Sequence, residues 1–181
     1  MTRNDFLKSC TAACACGGLA MIRPPASRAE SENPDVEELK WKVGFAQKRF
    51  AALIQILEQN VDEPTRKKVL EGLGRDHSKD FRGLIDKYKG NLEGFLEDIR
   101  KRWVASAEYD AHKGTIRVVD KSPTCTCALV RQNLTPPSFC DCTLGWQKEV
   151  YSAIVGRPVE ATLEESILRG GRRCVFRMQI L

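Results

Sequence analysis

Lys113-Gly114-Thr115-Ile116-Arg117-Val118-Val119 is the stretch at which this chain of 181 residues changes character. Before it, apolar residues recur at spacings of three and four. Lys113-Gly114 then makes a turn, and Thr115 to Val119 is β-branched and alternating, the pattern of a strand with one buried face. Helices first and a sheet afterwards predict an α+β fold, with the change of texture at about Tyr109.

Working back toward the N-terminus, Val36, Leu39, Val43, Ala46, Phe50, Leu53 and Leu57 mark one face of a long amphipathic helix. Asp62-Glu63-Pro64 supplies a cap, an early acid and an early-turn proline, which predicts a second helix from near Glu63 to Leu73, stopping at Gly74. Ser78 reads as the cap of a third helix carrying Phe81, Leu84, Ile85 and Tyr88. Asn91 reads as the cap of a fourth, carrying Leu92, Phe95, Leu96, Ile99 and Trp103.

Working forward, Lys121-Ser122-Pro123 breaks the first strand and Thr124 to Val130 reads as a second. A loop over Gln132 to Ser138 leads to a helix from Gly145 to Val155, which Gly156-Arg157-Pro158 stops. Val159 to Leu168 and Cys174 to Ile180 predict two more strands, joined by a hairpin turn at Arg169-Gly170-Gly171-Arg172. The expectation is a single α+β domain over 30–181: about four bundled helices over 30–108, then a strand-strand-helix-strand-strand antiparallel unit over 109–181.

The first 29 residues read as an export signal. A charged start is followed by a short apolar run of small residues from Ser9 to Ile22 and a small-residue exit after Arg23-Pro24-Pro25. Thr2-Arg3-Asn4-Asp5-Phe6-Leu7-Lys8 resembles a degenerate twin-arginine signal, with Asn4 where the second arginine stands in that pattern. Cys14 and Cys16 after small residues leave a lipoprotein reading open. The expected location is the periplasm or cell envelope of a bacterium.

Charge excludes one class of partner. The net charge of +5 falls to +2 over residues 30–181, where 25 basic face 23 acidic side chains, so nothing points to nucleic acid. No run approaches the roughly 18 apolar residues of a membrane span. Hydrophobic residues at 42% and charged residues at 29% are those of a globular domain that can bury a core.

Beyond the signal lie five cysteines: Cys125-Thr126-Cys127, Cys140-Asp141-Cys142 and Cys174, the two pairs separated by twelve residues. On a strand, residues i and i+2 share a face, so Cys125 and Cys127 can present two sulfurs to one point. Four thiolates about 2.3 Å from one ion make a closed tetrahedral site for zinc, with iron as the second choice, and exclude calcium and magnesium. Two disulfides would leave one cysteine over. A metal-free reactive thiol would need a base, and the two histidines are His77, near a helix boundary where it can serve as ligand or base, and His112 beside a turn. Glu160, Glu164 and Glu165 read as a solvated strand face before acid–base machinery, Trp146 as core, and Arg169 to Arg173 as a solvated hairpin tip.

Four segments carry a resemblance. Cys142-x-x-Gly145-Trp146, Gly156-Arg157-Pro158-Val159-Glu160, Glu164-Glu165-Ser166 and Gly170-x-x-x-Cys174-x-Phe176 resemble the end of 4-vinyl-reductase-type domains, which bind small molecules. The longer pattern, helices followed by Cys-x-Cys pairs, is similar to the bacterial L-2-amino-thiazoline-4-carboxylic acid hydrolase-like group. The first resemblance implies a small organic ligand and a zinc site that uses Cys174 with Cys140 or Cys142. Ser166 stands where those relatives place another cysteine, and Cys125 and Cys127 are available to compensate. The second implies a hydrolase of a cyclic amide or thiazoline, although no catalytic triad or metal–water constellation is legible. Three readings therefore stand: a ligand-binding module with a cysteine-held ion, such a hydrolase, and a disulfide-stapled structural protein.

Overall fold

The computed structural model describes residues 34–181; the segment read as an export signal lies outside the described residues. Five α-helices and four strands follow in the order α1 (Pro34–Asn60), α2 (Glu63–Ser78), α3 (Arg82–Tyr88), α4 (Leu92–Arg102), β1 (Val104–Asp110), β2 (Thr115–Asp120), α5 (Asp141–Val155), β3 (Val159–Glu165) and β4 (Val175–Ile180). Short 3-10 turns at Lys79–Phe81, Pro137–Cys140 and Ile167–Arg169 complete the described elements. The α+β class, helices first and then an antiparallel sheet with one helix inserted, is the one the sequence predicts.

Helix boundaries follow their caps. The Asp62 carboxylate accepts hydrogen bonds from the Thr65 backbone N–H and hydroxyl, both at 2.9 Å, and opens α2. Asn91 accepts from the Gly94 N–H at 3.0 Å and opens α4. Gly156, at φ 71°, ends α5 in the left-handed conformation that suits glycine.

Two predicted boundaries need correction. Gly74 does not stop α2, which runs on to Ser78, and α5 begins at Asp141 rather than Gly145. Gly74 and Gly145 are spent on packing instead. A Cβ at Gly74 would lie 1.8 Å from the Cys142 carbonyl oxygen, and one at Gly145 would lie 1.9 Å from that of Glu71. The two helices therefore cross backbone against backbone, which fixes the cysteine-bearing start of α5 against α2. Ser78 does not cap the next helix; its hydroxyl donates back to the Arg75 carbonyl at 2.7 Å.

The sheet is antiparallel throughout, in the order β1-β2-β4-β3. Its first two strands are displaced from the prediction. β1 occupies Val104–Asp110, immediately after α4, where alanine, serine and glutamate give little β-propensity; it is held by pairing with β2, Ala107 opposite Val118 and Tyr109 opposite Ile116. Thr124 to Val130 is not a strand. Ser122 and Thr124 satisfy one another locally, with the Thr124 N–H donating to the Ser122 hydroxyl at 3.1 Å and that hydroxyl donating to the Thr124 carbonyl at 2.6 Å. The Val130 N–H then turns back to the Cys127 carbonyl at 3.0 Å. β3 ends at Glu165, and the β3–β4 connection is a 3-10 turn closed by Gly170 at φ 87° rather than a two-residue hairpin.

One sheet face is packed and the other wet. Ile116, Val118, Ala161, Phe176 and Met178 are buried against Phe95, Ile99, Val150, Tyr151 and Ile154 of α4 and α5. On the opposite face Glu164 bridges Arg117 (2.8 Å) and Arg177 (2.5 Å), while at the β3 edge of the sheet Glu160 pairs with Lys148 of α5 at 2.8 Å. A second cluster joins Ile54 of α1 and Leu70 of α2 to Phe139 and Leu168. The cysteines lie where these two clusters meet.

Candidate ligand and metal site

Three parts of the chain converge on one cavity of about 620 Å³. Helix α2 contributes Leu73 and His77; the 3-10 turn and first turn of α5 contribute Phe139, Cys140, Cys142 and Trp146; the sheet contributes Leu163, Cys174 and Phe176. The segment Cys125–Val130 closes the remaining side. It is anchored to α1, where the Gln47 side-chain amide donates to the Ala128 carbonyl at 2.8 Å.

All five cysteines of the described residues line this cavity, and all are free thiols. The sequence argument that united them is corrected in its mechanism: Cys125 and Cys127 face the cavity from a turn-rich loop, not from a strand. Cys174 does arrive by alternation, on the same face as Phe176 and Met178 at the entry to β4. Among the described residues no three histidine, cysteine or acidic side chains stand close enough together to hold an ion as they are placed.

The thiols nevertheless interact. The Cys140 thiol donates to the Ser166 hydroxyl at 3.5 Å. Desolvation pushes the Cys142 thiol up to about 11, helped by Cys127 and Cys140. It pushes Cys174 up to about 11 as well, with Asp120, Cys140 and Cys125 adding to the effect against the Ile167 backbone N–H. Burial also raises Cys140, against Ser166 and Arg169, and Cys127, against the N–H groups of Leu129 and Val130. Such thiols are protonated and weakly nucleophilic at neutral pH.

His77 reaches the cavity wall, but its ring is edge-on to Phe81, which is edge-on in turn to Trp146, with centroids 5.3 Å apart at both steps. Among the described residues neither histidine hydrogen-bonds a cysteine through its ring. His112 lies in the β1–β2 turn, where its backbone N–H donates to Asp110 at 3.1 Å. The Arg169–Arg173 cluster is committed to structure: Arg169 pairs with Asp141 at 3.1 Å, and Arg173 donates to the carbonyls of Asp120 and Lys121 at 3.1 and 2.8 Å.

The main residue that sequence reasoning missed is Asp120. Its signal was present, because Ile116, Val118 and Asp120 alternate and the first two are core. Asp120 closes β2 at the cavity wall and also borders a smaller neighbouring cavity of about 350 Å³. Burial alone raises its carboxyl to about 6.

No protein-family model matches the sequence, and no curated protein matches it. Solved structures do match in shape. A trafficking protein particle complex subunit 3 from Naegleria fowleri, covalently bound to palmitic acid, superposes with a TM-score of 0.50 at 14% identity, over 78% of this chain and 96% of its own. The phenol-responsive sensory domain of the transcription activator PoxR, solved with phenol, gives 0.53 at 13% identity over 74% of each chain. The likeness is one of fold. Among the described residues no helix is long and apolar enough to cross a membrane.

Proposed function

We propose that this chain is an exported small-molecule-binding module whose cavity carries a cysteine-held metal ion, zinc before iron. The observation that supports it most is the convergence of all five cysteines on one cavity with walls of Leu73, Phe139, Trp146, Leu163 and Phe176. A volume of about 620 Å³ lies within the range of small-ligand pockets, and apolar walls with a few polar groups are their usual lining. The PoxR sensory domain, of like fold, was solved with a small aromatic molecule, which agrees with this reading.

The donor set suits a soft ion: Cys140, Cys142 and Cys174 from the body, with Cys125 and Cys127 from the loop, supply four thiolates and one in reserve. The loop over Cys125–Val130 is free of helix and strand, and it would have to shift to bring its sulfurs to an ion held by the body cysteines. Zinc there would neutralise deprotonated thiols and tie the loop to the body, a structural task. The hydrolase reading draws no support from the site, since burial raises the Cys127, Cys140, Cys142 and Cys174 thiols and, among the described residues, no histidine or carboxylate is hydrogen-bonded to a cysteine.

Zinc titration of the full chain against a competing chelator tests the metal half of the proposal. One tightly held equivalent is expected, kept in His77→Ala, weakened in Cys142→Ser and in Cys174→Ser, and lost when both are replaced together, which leaves three thiols. Equal zinc retention by the wild type and both serine variants would remove these cysteines from the proposal.

A further inference from the structure

We infer that the ligand of this cavity is an organic cation, an ammonium group carried on an apolar body. The inference rests on the binding-module reading above and adds the charge class of the ligand. It starts from an asymmetry: residues 30–181 are slightly basic, at +2, yet the charged side chains lining the cavity are Asp76, Asp80 and Asp120, with no lysine or arginine among them.

The three acids differ in how they are met. Asp76 is paired with Lys79 on the solvent side. Among the described residues neither Asp80 nor Asp120 has an ion-pair partner. The cations next to Asp120 are engaged with main chain instead. Lys121 donates to the carbonyls of Lys101 and Arg102, and Arg173 to those of Asp120 and Lys121. Asp120 is therefore a carboxylate at an apolar wall with no countercharge of its own, a position that a bound cation would satisfy.

The remaining lining points the same way. Trp146, Phe139 and Phe176 offer aromatic rings, whose electron-rich faces attract ammonium groups more than they attract carboxylates. An anionic ligand would meet uncompensated carboxylates and no guanidinium or ammonium group.

Three probes of matched apolar body test this on the full chain by calorimetry: 2-phenylethylammonium, 2-phenylethanol and 3-phenylpropanoate. The ammonium compound should bind at least 10-fold more tightly than the alcohol, and the carboxylate more weakly than either. Asp120→Asn should remove most of the preference for the cation while leaving alcohol binding within about 2-fold. Asp80→Asn, at the exposed rim, should reduce it by a smaller factor and guards against misfolding of the first variant. Alcohol or carboxylate binding as tightly as the cation would overturn the inference and leave the binding-module reading intact. Failure of all three to bind would overturn both.

Discussion

Replacing Gly74 by alanine should separate the two helices that frame the cysteine site. The new Cβ would start 1.8 Å from the Cys142 carbonyl oxygen, whereas ordinary contact begins at 3.4 Å, so the backbones must part by about 1.6 Å locally. The obstacle is main chain, which no side-chain rotation relieves. Overpacking of this kind costs roughly 1–3 kcal/mol, and the upper end applies where backbone must move. Alanine returns up to about 1 kcal/mol of helix propensity, leaving a net loss of about 2 kcal/mol. Gly44 of α1 is the internal control: nothing lies within 4 Å of its Cβ position, so Gly44→Ala keeps the propensity gain alone. Urea unfolding should show the midpoint falling for Gly74→Ala and rising for Gly44→Ala at unchanged slope. Two shifts of the same sign and similar size would refute the claim that Gly74 serves a backbone crossing.

Other outcomes follow from the site's electrostatics. Burial raises the Asp120 carboxyl from 3.8 to about 6, so the folded state holds this proton more tightly than the unfolded chain; the resulting stability is present below pH 3.8 and is lost as pH climbs through about 6. Asp120→Asn should therefore stabilise the metal-free protein at pH 7 by about 2 kcal/mol and give no gain near pH 3.5; an equal gain at both would discount burial as the cause. Because the Cys142 and Cys174 thiols are pushed up to about 11, zinc must displace their protons, and these two alone steepen its affinity by at least on the order of 100-fold per pH unit. Competition titrations at pH 6.5 and 7.5 measure this, and an affinity independent of pH would contradict thiolate ligation. Ser166→Cys puts a sulfur beside Cys140 and should slow zinc loss to a chelator relative to the wild type; an unchanged rate would place Ser166 outside the ligand set.

The parts of the fold legible in the sequence were those set by local chemistry. The caps Asp62 and Asn91 and the stop at Gly156 needed only their neighbours. β1 was hidden because Val104-Ala-Ser-Ala-Glu-Tyr-Asp has weak intrinsic preference and becomes a strand through β2. Thr124 to Val130 showed the reverse error: its composition permits a strand, but β2 already pairs with β1 on one edge and β4 on the other. Gly74 carried a helix-stop signal whose actual purpose, close approach to Cys142, depends on a segment about seventy residues away. At the site, the grouping of the five cysteines was readable from spacing, although Cys125 and Cys127 reach the cavity by a different route. Asp120 was readable from alternation with Ile116 and Val118 and was passed over as the end of a strand.

The most direct test of a cysteine-held metal in this cavity is elemental analysis of the full chain isolated anaerobically, combined with residue-resolved alkylation before and after chelation. The account predicts one equivalent of zinc, with at least four of Cys125, Cys127, Cys140, Cys142 and Cys174 protected until the chelator is added. Absence of metal, with all five alkylated at once or joined in disulfides, would contradict it.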